Sequence, residues 1–211
     1  MVCYKDSQSA VNLDPVEWTG TWRDARPINR EGALPENELT GTLFTANAQR
    51  VDAFAVPYSY RLMRLWRNTA VRNLKPGETY RTFKGVLGHE FDSDIDNGFR
   101  PEGLIRLSET TVDNVQYIHD HGSVFDTGTA VHHLTLYRSL KSNALVWGTG
   151  MVQWVWGLDN HHDINDPQRA NQYNIRVAAD TDQPDPVVRQ ATVNMLADMG
   201  VRHFPAQFPP F

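Results

Sequence analysis

A tryptophan-rich segment built around a Gly-Thr-Gly turn constrains the fold of this chain more than any other feature. Residues 144–163 hold three of the six tryptophans in the sequence. The apolar run Leu-Val-Trp at residues 145–147 predicts a buried strand, and the two glycines that follow predict a close backbone approach that a Cβ atom would block. Strand ends that lead into polar loops hold the active sites of open α/β sheets. The segment therefore predicts the edge of a site, and its polar loop contributes Asp159, His161, His162 and Asp163.

The composition predicts one ordinary domain. A chain of 211 residues, 40% of them apolar, can bury a core of its own, so a single domain over residues 1–211 is expected. The sequence has no long apolar run, no signal sequence and one cysteine, Cys3, so we expect no membrane span and a cytoplasmic location by default. The net charge of −5 without a basic stripe argues against a nucleic-acid partner.

Strand signals outnumber helical signals along the chain. Residues 61–66 fit a short helix or a strand, because so short a segment shows no decisive periodicity. Residues 5–38 are interpreted as an ordered loop with Trp18 and Trp22 as anchors, and the Pro/Phe-rich residues 204–211 as an extended or disordered tail. The predicted strands are residues 40–45, 50–56, 79–91, 103–111, 129–138 and 144–154.

One segment near the C-terminus predicts a helix over residues 187–199. Asp185 is a suitable N-cap, and Pro186 suits the first helical position because its fixed φ is already helical. Apolar residues then recur at helical spacing up to Met199, and Gly200 ends the pattern.

Several blocks of the sequence, in order, resemble one known family. The blocks are Thr-Gly-Thr-Trp-Arg-Asp (19–24), Glu-Asn-Glu-Leu-Thr-Gly-Thr-Leu-Phe-Thr (36–45), Trp-Arg-Asn-Thr (66–69), Leu-Gly-His-Glu-Phe-Asp (87–92), Asp-Ile-Asp-Asn-Gly-Phe-Arg-Pro (94–101), the tryptophan-rich segment and the C-terminal helix. Together they extend over nearly the whole chain and resemble the C-terminal part of the N,N-dimethylformamidase large (beta) subunit family. The resemblance implies a β-rich α/β fold, the back portion of a class I glutamine amidotransferase-like three-layer domain with a C-terminal helix; an α+β fold is the alternative.

The first residues predict a strand with no lead before it. Val2, Cys3 and Tyr4 favour a strand that starts at once, whereas in the resembled family this point lies well inside the domain. We therefore expect the back portion of a larger unit, which either forms a homo-oligomer or is completed by a missing N-terminal segment.

Glu90 is the first candidate for chemistry. Strand alternation places it opposite Phe91 and on the same face as Gly88, whose small size would leave room for a ligand. A carboxylate among apolar neighbours needs a cation, which is either a bound metal or the guanidinium of a nearby arginine.

The resemblance favours the metal for Glu90. Dimethylformamidase is a mononuclear iron enzyme whose metal is held by two tyrosines and one glutamate, and block position makes Glu90 the counterpart of that glutamate and Tyr4 the counterpart of one tyrosine. Phenolate and carboxylate oxygens suit a ferric ion. For Tyr4 the alternative is an aromatic strand residue with its hydroxyl at the surface.

The histidines offer further candidates for metal binding or proton transfer. His162 follows the Gly-Thr-Gly strand and could act as a group behind the metal ligands or as a proton shuttle. His119 and His121 would share one strand face, whereas His132 and His133 would point to opposite faces. A structural or solvated role is the alternative for each.

The acidic run at residues 92–98 is close to a calcium-loop pattern but departs from it. Its glycine falls at the seventh position where an EF-hand has it at the sixth, and Gly103 stands where the twelfth-position glutamate belongs. We therefore expect a turn whose carboxylates accept bonds from backbone amides, with Arg100 as an ion-pair partner.

Two functions remain in view from the sequence. The first is part of an iron-dependent hydrolase of a small-molecule amide, with Glu90 and Tyr4 as metal ligands and His162 in support. The second tyrosine of the family's site has no counterpart in this sequence, so we expect the site to be incomplete in this chain alone. The second function is a non-catalytic module in which Trp147, Trp154 and Trp156 form a platform for a sugar or a protein partner, and a place in the core is the alternative for these tryptophans. Serine-hydrolase, nucleotide and thiol chemistries are disfavoured because their motifs are missing from the sequence.

Overall fold

The structure is a computed structural model that describes residues 21–27, 29, 32–47, 50–88, 90–119, 124–159 and 183–201. The predicted strand at residues 2–4, the anchor Trp18 and the tail at residues 204–211 lie outside the described residues. Within the described ranges, no helix is both long enough and apolar enough to cross a membrane.

Short strands dominate the described chain, and turns of 3-10 helix connect several of them. The strands are β1 (Leu43–Asn47), β2 (Val51–Pro57), β3 (Thr79–Gly88), β4 (Phe91–Ser93), β5 (Ile105–Arg106), β6 (Thr110–His119), β7 (Val124–His132), β8 (Thr135–Arg138) and β9 (Leu145–Gly148). The α-helices are α1 (Asn37–Thr40) and α2 (Pro186–Asp198), and the 3-10 turns are Tyr58–Tyr60, Arg64–Trp66, Ala70–Asn73 and Val152–Gly157.

The strands form three antiparallel sheets. One sheet has the order β4-β1-β6-β7, a second joins β2 to β3, and a third has the order β5-β8-β9. Every pairing in the described ranges is antiparallel. The prediction of a β-rich fold with a C-terminal helix is therefore confirmed.

The first strand predictions hold, and the ambiguous segment contains a short helix of the 3-10 type. Residues 40–45 and 50–56 correspond to β1 and β2, and residues 79–91 contain β3 followed by the start of β4. Residues 61–66 contain a single 3-10 turn, Arg64–Trp66, and no regular α-helix or strand.

The predicted strand at residues 103–111 is wrong. Only Ile105–Arg106 and the start of β6 pair with other strands. Between them, Trp66 Nε1 donates to the Leu107 carbonyl at 2.9 Å, and Ser108 Oγ accepts the Leu134 amide at 3.1 Å. The backbone ladder to β8 ends with the bond from the Leu107 amide to the Leu134 carbonyl at 2.8 Å, and the bonds of the Trp66 and Ser108 side chains take its place there.

Two more predicted strands are interrupted. Residues 129–138 divide into the end of β7 and β8, and the predicted strand at residues 144–154 stops at Gly148. Gly150 has a φ of +60°, which turns the chain, and the 3-10 turn Val152–Gly157 follows.

The C-terminal helix α2 forms where the sequence predicts it. The side chain of Asp185 accepts hydrogen bonds from the backbone amides of Val187 and Val188 at 2.9 and 3.0 Å, and Pro186 occupies the first helical position. Such a cap stabilises a helix by about 1 kcal/mol. Gly200 follows the helix with a φ of +84°.

Polar bonds fasten α2 to distant parts of the chain. Asn194 Nδ2 donates to the carbonyls of Leu65 and Arg67, both at 2.7 Å. The Tyr80 hydroxyl on β3 donates to the carboxylate of Asp185, the helix cap, at 2.8 Å. Burial, with the nearby Asp185 charge, raises the pKa of Tyr80, which therefore keeps its proton and its donor role.

Aromatic side chains fill the centre of the core. Trp66 and Phe54 are fully buried, and the ring of Trp154 lies edge-on to Phe54 and to Trp147, with centroids 5.8 and 5.4 Å apart. Trp154 is only 5% exposed. It is a core residue, so the prediction that it belongs to a ligand platform is wrong.

Candidate functional site

A cavity of about 680 Å³ lies between β1, β4 and the Gly-Thr-Gly turn. We call it the carboxylate cavity because the side chains of Glu90 and Asp92 line it. Its remaining walls are mainly apolar, as is usual for sites that bind small molecules. They comprise Leu39, Thr40, Thr42, Phe44, Val146, Trp147, Gly148, Thr149, Gly150, Met151 and Val152.

Glu90 stands at a bend between two strands. Its amide donates to the Gly88 carbonyl at 2.9 Å, which turns the chain between the end of β3 and the start of β4. The residue is half-buried, and its carboxylate makes no hydrogen bond or ion pair with the described residues. The arginine ion pair that was the alternative for Glu90 is therefore not found among them.

The space predicted above Gly88 is filled. A Cβ atom at Gly88 would lie 2.2 Å from Gln153 Oε1 and 2.5 Å from the Arg50 carbonyl oxygen. The glycine thus admits a protein side chain rather than a ligand, and the open volume lies beside Glu90 at the Gly-Thr-Gly turn. The expectation of a ligand space over Gly88 is wrong because the 3-10 turn Val152–Gly157 packs there.

Asp92 is a second carboxylate in the cavity, and it was not predicted as a site residue. Burial raises its pKa, although a hydrogen bond donated by Thr42 Oγ1 at 2.7 Å opposes this shift. The negative charges of Glu36 and Glu90 raise it further, and Arg23 acts in the opposite direction. The available signal was the spacing, since residues 90 and 92 alternate onto one side of a strand.

The Gly-Thr-Gly turn closes the cavity by close backbone contact, as the sequence predicts. The Asp92 amide donates to the Gly150 carbonyl at 2.7 Å, and His132 Nε2 donates to the Thr149 carbonyl at 2.8 Å. A Cβ atom on Gly148 would lie 2.7 Å from Thr135 Oγ1. Larger residues at the two glycines would therefore push the turn away from the carboxylates.

His132 and His133 are buried and support backbone segments around the cavity. Burial lowers the pKa of His132 to about 3, so this ring is neutral and acts through its Nε2–H bond to the turn. His133 accepts the Asp94 amide on Nδ1 at 3.1 Å, which leaves its proton on Nε2, 3.7 Å from Glu109 Oε2. Burial, followed by the charge of Arg106, lowers the pKa of His133 as well. These contacts agree with the structural alternative stated for the histidines.

The acidic run is the predicted turn. Arg100 makes a paired hydrogen bond to Asp94 at 2.7 and 2.9 Å, and Arg106 donates to the same carboxylate at 2.7 Å. Asp96 and Asn97 accept bonds from backbone amides two residues further on. The interpretation of this run as a capped turn with Arg100 as its ion-pair partner is confirmed.

The remaining predicted site residues fall largely outside the described chain. Tyr4, His121 and His162 lie there, and His119 is exposed at the end of β6 beside Tyr117. Across the described ranges, histidine, cysteine, aspartate and glutamate form no group of three that could hold a metal ion.

The carboxylate cavity therefore presents hard oxygen donors in a mostly apolar setting. Glu90 is available to a cation, and Asp92 keeps one oxygen, Oδ2, engaged by Thr42. Carboxylate oxygens of this kind fit a hard metal ion or a polar molecule with N–H groups.

Comparison with known protein families identifies a family for most of the chain. The family model described as "N,N-dimethylformamidase beta subunit-like, C-terminal" matches residues 1–166. No curated protein and no solved structure matches the chain.

Proposed function

The chain belongs to the N,N-dimethylformamidase beta subunit-like, C-terminal family, and we propose that it forms part of an iron-dependent amidohydrolase that cleaves the C–N bond of small amides. The family supports a hydrolase-related domain, whereas the metal and the substrate belong to our proposal. One observation carries it: Glu90 is a half-buried carboxylate without a partner among the described residues, and it faces a cavity with a second carboxylate.

Glu90 and Tyr4 are the residues that would hold a mononuclear ferric ion. A carboxylate and a phenolate are hard donors of the kind that ferric iron prefers. Such an ion, when bound, polarises a carbonyl group and lowers the pKa of water.

The other residues of the cavity would bind and orient the amide. Asp92 Oδ1 is the acceptor for a substrate N–H, because Thr42 already engages Oδ2. Phe44, Val146 and Met151 line the cavity and would keep water from the reacting group. His162 is proposed to stand behind the metal ligands or to carry a proton to the leaving amine.

The proposal also concerns the larger domain to which this chain would belong. We infer that the antiparallel sheets form a β-rich excursion from a class I glutamine amidotransferase-like three-layer domain, with α2 in one outer layer. An experimental structure of the chain with its neighbouring protein segment would test this, since the proposal requires a parallel sheet covered by helices on both faces.

The metal proposal is tested by loading the purified chain with ferric iron and measuring bound metal and visible absorption. We expect a tyrosinate-to-iron absorption band that Tyr4→Phe removes. Glu90→Gln should reduce bound iron at least tenfold, because the amide lacks the charge that binds the ion. The rate of hydrolysis of a small N-alkyl amide should decrease in the same variants in proportion to the loss of bound iron.

Glu102→Gln is the matched control, because Glu102 is an exposed glutamate away from the carboxylate cavity. This variant should bind iron like the unaltered chain. Equal iron binding by the Glu90→Gln variant, or no iron bound either by this chain or by one extended at its N-terminus, would contradict the proposal.

A second candidate function is a non-catalytic carbohydrate-binding module. A groove of about 800 Å³ lies between α1, the turn after the acidic run and the β8–β9 hairpin. Trp22 and Phe99 line it and are 51% and 36% exposed, so Trp22 is not the buried anchor that the sequence predicts. Exposed aromatic rings beside carboxylates such as Glu38 and Glu102 suit the apolar faces and hydroxyl groups of a sugar.

Titration with a panel of neutral oligosaccharides, followed by calorimetry, tests this function. Binding that Trp22→Ala abolishes and Trp156→Ala preserves would assign it to the groove. Loss with Trp156→Ala alone would assign it to the tryptophan-rich segment, and the absence of heat for every sugar would remove this candidate.

A further inference from the structure

The carboxylate cavity presents hydrogen-bond acceptors that the described residues leave unused. The carboxylate of Glu90 has no partner among them, and Asp92 Oδ1 accepts no hydrogen bond from them. Hydroxyl donors on the same wall are already engaged. Thr42 Oγ1 donates to Asp92 Oδ2 at 2.7 Å, and Thr40 Oγ1 donates to the Thr42 carbonyl at 2.8 Å. A ligand that fills the space beside these carboxylates therefore has to bring its own N–H or O–H donors.

Among the described residues, no cation forms an ion pair with Asp92. The negative charges of Glu36 and Glu90 act on it, and Arg23 is the cation that acts in the opposite direction. Arg23 is itself paired with Glu36 and donates to the Phe44 carbonyl at 3.0 Å. A ligand that displaces water from Asp92 without supplying a donor would leave a buried acceptor unpaired, which costs about 1–3 kcal/mol and more for a charged group.

Small amides differ in whether their nitrogen can satisfy Asp92. A primary or N-monoalkyl amide carries an N–H donor on the nitrogen of its C–N bond, whereas an N,N-dialkyl amide carries none. The apolar walls at Phe44, Val146 and Met151 can contact the alkyl groups of either kind. The N–H group is therefore the difference that the cavity can detect. Sites that hydrogen-bond a substrate N–H reject analogues without it far more strongly than apolar pockets reject a missing methylene.

We propose that Asp92 makes this cavity selective for amides with an N–H on the nitrogen of the scissile bond, and that N,N-dialkyl amides bind poorly. This selectivity rests on the proposed function, because it takes the ligand of the cavity to be an amide. The family takes its name from an enzyme that acts on an N,N-dialkyl amide, so the preference is not one that the name suggests. It follows from the unpaired Oδ1 atom of Asp92.

Two isomeric amides test the preference. N-Butylformamide and N,N-diethylformamide contain the same atoms, but only the first has an N–H group. The purified chain is treated with a chelator to remove metal and is titrated with each amide, with protein NMR chemical shifts as the readout. N-Butylformamide should bind at least tenfold more tightly, because only this isomer supplies a donor to Asp92.

Asp92→Asn should remove the preference. The asparagine oxygen takes the hydrogen bond from Thr42, which places the side-chain NH2 group where Oδ1 stood, so a donor faces the ligand. The ratio of the two affinities should fall to about twofold or less. A merely structural role of Asp92 would weaken both amides alike and leave the ratio unchanged. Asp96→Asn, in the exposed part of the acidic turn, is the matched control and should keep the tenfold ratio.

Glu90→Gln distinguishes the two carboxylates. In the metal-free chain this variant should keep the preference for N-butylformamide, because Asp92 is unaltered. Equal affinities of the two amides for the unaltered chain, no binding of either amide, or a preference lost in Glu90→Gln and kept in Asp92→Asn would overturn the proposed selectivity.

The same titration separates this selectivity from the proposed hydrolase, because it is carried out without iron. Iron-dependent hydrolysis of both amides at equal rates, with equal affinities, would remove the selectivity and leave the hydrolase standing. A preference that depends on Asp92, in a chain that binds no iron with or without an N-terminal extension, would remove the hydrolase and support the selectivity of the cavity.

Discussion

Asp92 and Asp94 lie two residues apart in the chain, yet their surroundings are opposite. Asp94 accepts hydrogen bonds from Arg100 and Arg106, which hold its pKa below the usual value despite burial. Asp92 has no such ion pair among the described residues, and burial raises its pKa. Asp92 lies within β4 and lines the carboxylate cavity, whereas Asp94 follows the end of the strand at Ser93, where the chain turns and brings its carboxylate to the arginines. The charge of a carboxylate that stabilises the fold is paired with neighbouring cations, whereas a carboxylate without such a pair is available to a ligand.

The largest effect expected from this comparison is the loss of the Asp94 charge. Asp94→Asn should lower the free energy of unfolding by about 3 kcal/mol, because two arginines lose their shared partner. Denaturant unfolding measures the change. Asp96→Asn, in the exposed part of the same turn, should change it by less than about 0.5 kcal/mol. Equal losses of unfolding free energy in the two variants would contradict the stabilising role assigned to the Asp94 ion pairs.

Alanine substitutions of a glycine in the Gly-Thr-Gly turn and of one in the acidic turn should change the unfolding free energy by different amounts. Gly148→Ala should lower the unfolding free energy by about 2 kcal/mol, because its Cβ would press on Thr135 Oγ1 and the Thr40 carbonyl at 2.7 and 2.9 Å. Gly98→Ala meets no described atom within 4 Å, so only its φ of +85° opposes the change, at about 1 kcal/mol. Thermal unfolding of both variants compares them, and a larger loss at Gly98 would contradict the tight packing of the Gly-Thr-Gly turn.

Acid should lower the stability of the fold through protonation of Asp94. Its folded pKa lies below the unfolded value, so its contribution is present at neutral pH and is lost as the pH falls through the folded pKa. We expect the unfolding free energy to fall below about pH 4 by an amount on the order of 1 kcal/mol from this residue. In Asp94→Asn the acid-dependent loss should be smaller by that amount, and an unchanged profile would contradict the assignment.

The smallest expected effect is at Asp92. In protein treated with a chelator, Asp92→Asn should leave the unfolding free energy within about 1 kcal/mol at neutral pH or raise it, because a buried, uncompensated charge is removed. The asparagine oxygen can still accept the bond from Thr42. A loss as large as that of Asp94→Asn would mean that the carboxylate cavity is part of the structural framework.

Local signals in the sequence were sufficient for some of these features. The cap Asp185, the first-turn Pro186 and the stop at Gly200 act within a few residues, so the ends of α2 could be predicted. The pairing of the acidic run with Arg100 could be predicted for the same reason, whereas the role of Glu90 stays a prediction. Arg106 was not predicted, because its approach to Asp94 depends on the path of the chain through β5.

Features set by distant contacts could not be predicted. The strand expected at residues 103–111 gives way to bonds from Trp66 and from the Leu134 amide, 41 and 26 residues away along the chain. The space over Gly88 is filled by Gln153, which no local pattern places there. That Glu90 has no ion-pair partner among the described residues is likewise a result of packing, since several arginines are near enough in sequence to pair with it.

The fastening of α2 has a consequence for how the chain reaches its native state. Asn194 bonds the carbonyl of Leu65 across 129 residues of sequence, and Asp185 meets Tyr80 across 105. Contacts of such long range slow folding, because a large loop loses entropy before the bonds that repay it can form. During synthesis, α2 can dock on β3 and the Arg64–Trp66 turn only after the residues through Asp198 have left the ribosome. The apolar surface that this helix later covers is exposed until then, so folding in the cell is a race between docking and aggregation.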